Sequence, residues 1–199
     1  MLLCGNGRYF VLAYLATLGL GAVAVPLNPT SPTPEIEREL ATVGAAAVVV
    51  EPAAIQAWSG VDRAKVPTIR SVIVTEGGES LDGAVSLATL LAAEPVPVTE
   101  VEPDHLAVLM FTSGTAGSPR AAMLSHGNLQ ANLDQGRSDG AQISAGDVVY
   151  GVLPMYHIFG LNVVLGLTLA RGATVVLVQR FDPSTALDTI RGLAPRLVL

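Results

Sequence analysis

The chain has 199 residues, half of them hydrophobic, with 14% charged and a formal net charge of -6. That composition supplies a substantial core and argues against disorder, and without a cluster of Lys or Arg it argues against a nucleic-acid partner bound through its phosphates. A single cysteine, Cys4, excludes an intrachain disulfide and gives no sign of an oxidising compartment, so a cytoplasmic protein is the default expectation.

Residues 9–34 carry no charge. That length could span a bilayer, and Arg8 ahead of YFVLAYLATLGL and GAVAV has the outline of a signal peptide. Gly19 and Gly21 divide the run into a helical half, 8–18, which contains Tyr14 and Thr17, and a short strand, 22–27; a buried helix turning into a buried strand fits better than a membrane span. PTPEIERELATV then predicts a helix over 33–43, with Thr33 as N-cap, Pro34 at the first position and Glu35 and Glu37 in the first turn. AAAVVV predicts a strand over 46–50 that is apolar on both faces. A helix over 52–57, a strand over 71–75 and a helix over 84–91 follow.

Residues 91–104, LAAEPVPVTEVEPD, are rich in Pro and acidic residues, follow neither period and are expected to be a connector. Strands over 106–112 and 121–125 and a helix over 128–136 come next, then a strand over 148–153. A second uncharged run, 152–170, contains Pro154, His157 and Asn162 and makes a poor lipid-facing helix; its helical part is 158–170. A strand over 173–178 and a helix over 183–192 precede residues 191–199, which begin what reads as another buried strand. Such a strand lacks neighbours, so more chain or a partner is expected to cover it. Apolar strands alternating with helices predict an α/β fold of mostly parallel sheets covered by helices.

The chemistry concentrates in TSGTAGSPR, directly after the apolar run LAVLMF. Neither the Walker phosphate loop nor GxGxxG is present, since GNGRYF at Gly5 lacks the third Gly, and the nucleophile elbow GxSxG is absent too. The stretch offers the hydroxyls of Thr112, Ser113, Thr115 and Ser118, two glycines that free the backbone amides, and the charge of Arg120. Amide nests and hydroxyls of this kind bind anionic oxygens. A polar hairpin turn between two strands is the plainer alternative.

A strand, then TSGTAGSPR, then AAMLSHGNL resembles the phosphate-loop motif of the adenylate-forming superfamily: acyl-CoA synthetases, luciferases and nonribosomal peptide adenylation domains. Thr112, Ser113, Gly114, Thr115, Gly117, Pro119, Ser125, His126 and Asn128 match its pattern. GRYFVLAYLATLGLGAVAVPLNPTSPTPEIEREL and VLPMYHIFGLN resemble two further segments of the family in the same order, so the resemblance covers essentially the whole chain, most closely as in fatty-acyl-CoA synthetases.

Members of that family join a carboxylic acid to AMP, release pyrophosphate, and usually pass the acyl group to coenzyme A. The resemblance implies that Thr112, Ser113, Gly114, Thr115, Ala116, Gly117, Ser118, Pro119 and Arg120 hold the phosphates of ATP, with Mg accompanying the nucleotide. Arg120 stands where most members have Lys and Ala121 where they have Gly, so a planar fork replaces a compact ammonium. His157 is implied as the catalytic residue beside the acyl carboxylate. With Phe159, Gly160 and Asn162 it would line the acyl site, and a fatty acid is the expected substrate. No His, Cys or carboxylate set has metal-ligand spacing, so no protein-held metal is expected.

The family's later motifs, for adenine, ribose and the C-terminal lysine, are not found; Lys65, the sole lysine, lacks that context. The expectation is an incomplete part of the large N-terminal domain of an adenylate-forming enzyme, spanning 1–199, with the C-terminal domain absent and the isolated chain inactive. Alternatives are a noncatalytic nucleotide-binding or interaction module that needs a dimer or other partner, and a membrane or secreted protein anchored by its first uncharged run.

Overall fold

The computed structural model describes residues 1–77, 81–112, 120–136 and 143–198. Strands β1 (Leu2–Leu3), β2 (Pro26–Leu27), β3 (Ala47–Val50), β4 (Ser71–Val74) and β5 (Ala84–Ser86) form a parallel sheet in the order β2-β1-β3-β4-β5. Helix α1 (Arg8–Gly19) carries the chain from β1 to β2, and α2 (Thr33–Val43) carries it from β2 to β3. A short helix, α3 (Ile55–Ser59), follows β3, and α4 (Leu87–Leu91) follows β5. The strands β6 (Leu106–Thr112) and β7 (Arg120–Ser125) pair antiparallel and lead into α5 (His126–Gln135). A second parallel sheet contains β8 (Val148–Gly151), β9 (Thr174–Leu177) and β10 (Leu197–Val198) in the order β10-β8-β9. Between β8 and β9 runs a π-helix, Phe159–Leu167, which ends in the single turn α6 (Thr168–Ala170); α7 (Pro183–Leu193) joins β9 to β10.

The strands β1, β2 and β3 are buried on both faces of the first sheet, with successive side chains pointing to opposite sides. Leu2 and Val49 pack with Phe10 and Tyr14 of α1 and with Val108, Met110, Leu161 and Leu165. Leu3, Val48 and Val50 pack with Ile36 and Leu40 of α2 and Trp58 of α3. The hairpin joins this core through Ala24, whose N–H donates to Ala107 O at 2.9 Å and whose carbonyl accepts from Leu109 N at 2.9 Å.

Several expected elements differ. The segment 84–91 divides into β5 and α4: Ala84 extends because it pairs with Val72, and Ser86 then caps α4 by accepting from Ala88 N at 3.1 Å. The strand expected over 22–27 keeps only Pro26–Leu27 in the sheet, since Ala24 turns aside to bridge Val108. Thr33 is not the cap of α2. Its hydroxyl donates to Ala57 O at 2.8 Å, and Pro32 holds the cap position. The expected final strand exists, but it is not buried: Val198 is 45% exposed. Residues 92–105 contain neither helix nor strand, and among the described residues no helix is long and apolar enough to cross a membrane.

Candidate functional site

The segment that carries His157 is fastened to the beginning of the chain. Asn6, just beyond β1 and 5% exposed, donates through Nδ2 to Leu153 O and accepts through Oδ1 from Met155 N, both at 2.8 Å. A buried amide with both ends paired to backbone groups holds that loop in one register. His157 N then donates to Pro154 O at 3.0 Å, which closes a turn, and Leu161 N donates to His157 O at 2.8 Å as the π-helix begins. Gly160 is required there because a Cβ would lie 2.1 Å from Pro154 O. The result is an exposed His157 whose ring is tilted by 42° against Tyr156 at 5.4 Å, followed at once by exposed Ile158 and Phe159.

His157 lines a cavity of about 220 Å³ together with Tyr156, Phe111, Thr112, Asn28, Ser31, Glu35 and Glu39. Thr112 closes β6 opposite Arg120, and its hydroxyl donates to Arg120 O at a long 3.4 Å. The turn after β2 is held by Asn28, whose Oδ1 accepts from Thr30 N at 3.0 Å and from the Thr30 hydroxyl at 2.8 Å. Ser31 donates to Glu35 Oε1 at 3.1 Å. Asn28 and Tyr156 also line an adjoining cavity of about 480 Å³ that reaches Thr30, Glu51 and Arg180. Burial raises the Glu51 carboxyl above the usual range, opposed by the Gly5 N–H that donates to its Oε1 at 2.6 Å.

A second kind of cavity, about 320 Å³, lies between α5 and the π-helix. Leu124, Leu129, Ile158, Phe159 and Val163 wall it, with Asn128, Asn132 and Asn162 at its polar edge. Asn162 is 5% exposed, and its Nδ2 donates to Asn132 Oδ1 at 2.7 Å and to Leu129 O at 3.3 Å. Ser125 and Asn128 form a reciprocal capping box that starts α5.

Of the residues singled out in the sequence, Thr112 and His157 share the first cavity, and Phe159 and Asn162 share the apolar one. Arg120 is exposed on β7. Gly160 is buried against the Pro154 carbonyl and lines neither cavity. Ser113, Gly114, Thr115, Ala116, Gly117, Ser118 and Pro119 lie outside the described residues. Sequence reasoning missed Asn28, Ser31 and Glu39 as cavity walls. A signal for Glu39 was available, since it stands three residues after Ile36 on the apolar stripe of α2, a place where a charged residue is out of pattern. Among the described residues there is no group of three or more His, Cys, Asp or Glu that could hold a metal ion.

Comparison with known proteins gives a consistent picture. The sequence profile of the AMP-binding enzymes matches residues 1–198. 4-coumarate--CoA ligase 5 of Oryza sativa subsp. japonica is 35% identical over 212 aligned residues, which take in 100% of this chain and 38% of that protein. The anthranilate CoA ligase AuaEII, solved with anthranoyl-AMP, shares the fold with a TM-score of 0.90 at 21% identity, over 99% of this chain and 38% of its own. ATP-bound MatB from Rhodopseudomonas palustris superposes with a TM-score of 0.78 at 29% identity, over 96% of this chain and 37% of its own. The chain thus spans less than two-fifths of the length of these relatives.

Proposed function

Because the chain belongs to the AMP-binding enzyme family, we propose that it supplies the phosphate loop and the acyl-contacting segment of an ATP-dependent acid–CoA ligase. The reaction joins an apolar carboxylic acid to AMP and then transfers the acyl group to a thiol. In the first step a carboxylate oxygen attacks the α-phosphorus and pyrophosphate leaves. Both reactants are anions, so catalysis consists of aligning them and offsetting charge. Thr112 and the residues up to Arg120 hold the leaving phosphates; Arg120 contributes fixed positive charge at the end of the loop. His157, which lines the first cavity and precedes Ile158 of the apolar one, orients the carboxylate through a ring N–H. The acyl group enters the cavity walled by Ile158, Phe159 and Val163, which excludes water from its apolar part. When bound with ATP, Mg would neutralise phosphate charge, and this chain's described residues are assigned no part in holding it.

The observation that carries this reading is that Thr112 and His157, 45 positions apart in the sequence, line one cavity. The cavity beside Phe159 accommodates an aromatic ring or an alkyl chain. The relatives' names weigh toward an aromatic acid and the apolar flank toward a fatty acid. The test is ATP–pyrophosphate exchange by the full-length gene product with 4-coumarate and with hexanoate. Exchange with either acid is expected, and His157→Ala should lower its kcat about 100-fold while the KM for ATP moves little. Absence of exchange with every carboxylic acid offered would overturn the reading, and an unchanged kcat in the variant would remove His157 from the chemistry.

A further inference from the structure

Glu39 lies on the core side of α2, one turn beyond Glu35, and is 8% exposed. It lines the cavity shared by Thr112 and His157, and its Oε2 is buried without a hydrogen-bond partner. Buried acceptors in folded proteins are almost always paired, because an unpaired one forfeits its hydration with no return. Glu35 lines the same cavity, and no Lys or Arg is among the described residues that do. On the wall that Glu35 and Glu39 form, away from the groups assigned to Thr112 and His157, two carboxyl side chains favour a cation that also donates hydrogen bonds. No group of three or more His, Cys, Asp or Glu gathers among the described residues. An ammonium needs only one or two acceptor oxygens and suits a cavity of about 220 Å³.

We propose that the Glu39 end of this cavity is a subsite for a primary ammonium group, carried by a ligand that lies beside His157. The binding claim rests on the cavity alone; the arms that involve catalysis rest on the ligase reading. Burial, with the charge of Glu35 second, pushes the Glu39 carboxyl up to about 7. Glu39 is therefore a full acceptor only on the alkaline side of that value, and ammonium binding should strengthen as pH rises through it. The other titratable groups that face it are Glu35 on its own helix and Tyr156 and His157 from the segment before the π-helix, with Arg38 on α2 acting from outside the cavity. Comparison with Glu39→Gln, rather than the wild-type pH profile by itself, isolates Glu39.

The ammonium has two possible sources, the acid that is activated or the acceptor that takes the acyl group. In the second case the ammonium gives one proton to the Glu39 carboxylate, and the amine nitrogen attacks the acyl carbonyl. A C–N bond then forms, the C–O bond to phosphorus breaks, AMP leaves with that electron pair, and the remaining excess proton on nitrogen passes to water.

The deciding experiment is calorimetric binding of butylamine, with 1-butanol as its uncharged counterpart, to the full-length protein without ATP. Butylamine should bind at least about tenfold more tightly than butanol, and the preference should grow from about pH 6 to about pH 8. Glu39→Gln should abolish both the preference and its pH dependence. Glu35→Gln, at an exposed position where folding is not at stake, should weaken butylamine by about threefold. Equal binding of amine and alcohol, or an amine preference that survives in Glu39→Gln, overturns the inference. Two assays then assign the source. A preference for 6-aminohexanoate over hexanoate in ATP–pyrophosphate exchange, lost in Glu39→Gln, places the ammonium on the acid. ATP-dependent formation of N-butylhexanamide, lost in the same variant, places it on the acceptor. Amine binding without any exchange would sink the ligase reading and leave the subsite standing.

Discussion

The cavity at Thr112 and His157 and the cavity at Phe159 and Val163 draw on adjacent residues of one segment, yet the first is richer in carboxyl and hydroxyl groups and the second in aliphatic ones. Asn28, Ser31, Glu35 and Glu39 enclose the first, whereas Leu124, Leu129, Ile158 and Val163 enclose the second. The difference arises from what each side packs on. One side meets the polar turn after β2 and the start of α2; the other meets the apolar side of α5 and the π-helix. A single segment can serve both because the turn at Pro154 gives way to the wider helix at Phe159, which sends consecutive side chains to different neighbours. The backbone thus places two differently lined cavities along one motif.

The change expected to act on both sides at once is Gly160→Ala. Its Cβ would meet Pro154 O at 2.1 Å and Leu153 O at 2.9 Å, both backbone atoms that cannot swing away. A loss of about 3 kcal/mol in denaturant unfolding is expected, with binding lost at both cavities. A loss below about 1 kcal/mol would mean that the turn and the π-helix are not in this contact.

Asn162→Leu should separate the two sides. It leaves Leu129 O and Asn132 Oδ1 without their donor, for a cost of about 2 kcal/mol. The KM for the acid should rise while the KM for ATP stays put; equal changes in both would show that the cavities are not independent.

The smallest effect is the most specific to the polar side. With its folded carboxyl raised to about 7, Glu39 favours the native state below its ordinary range near 4.5, and this contribution is lost as pH rises through about 7. Glu39→Gln should therefore gain stability relative to the parent, by about 1 kcal/mol after allowance for solvent screening, between the acid and the alkaline side of that window. Parallel pH–stability curves for the two proteins would show that Glu39 is not desolvated in the folded state.

Much of this architecture is legible in local pattern. Val48, Val49 and Val50 announce a strand buried on both faces, and they do divide between the two clusters on either side of the sheet. The helix expected over 128–136 is present, although the Ser125 and Asn128 capping pair starts it two residues earlier, at His126. Other elements have no local signature. β1 is two residues long and owes its existence to partners at 26–27 and 49–50. β5 looks helical until Val72 is beside it. The π-helix sits in a run whose composition suits an ordinary α-helix, and the close approach of Gly160 to Pro154 and the bonds of Asn162 to α5 are not visible in periodicity.

The sequence by itself singled out the candidates for chemistry, the hydroxyls and glycines from Thr112 to Arg120 and the His157 segment, and predicted the apolar α/β framework around them. Only the tertiary structure decided that Thr112 and His157 line one cavity, and that Oε2 of Glu39, which also lines it, is buried without a hydrogen-bond partner. The physical reason is range. Propensity, capping and periodicity act over a few residues, whereas desolvation and shared cavity walls depend on which distant segments are brought together. Here that was done by the parallel sheet, the Ala24 bridge and the Asn6 clamp.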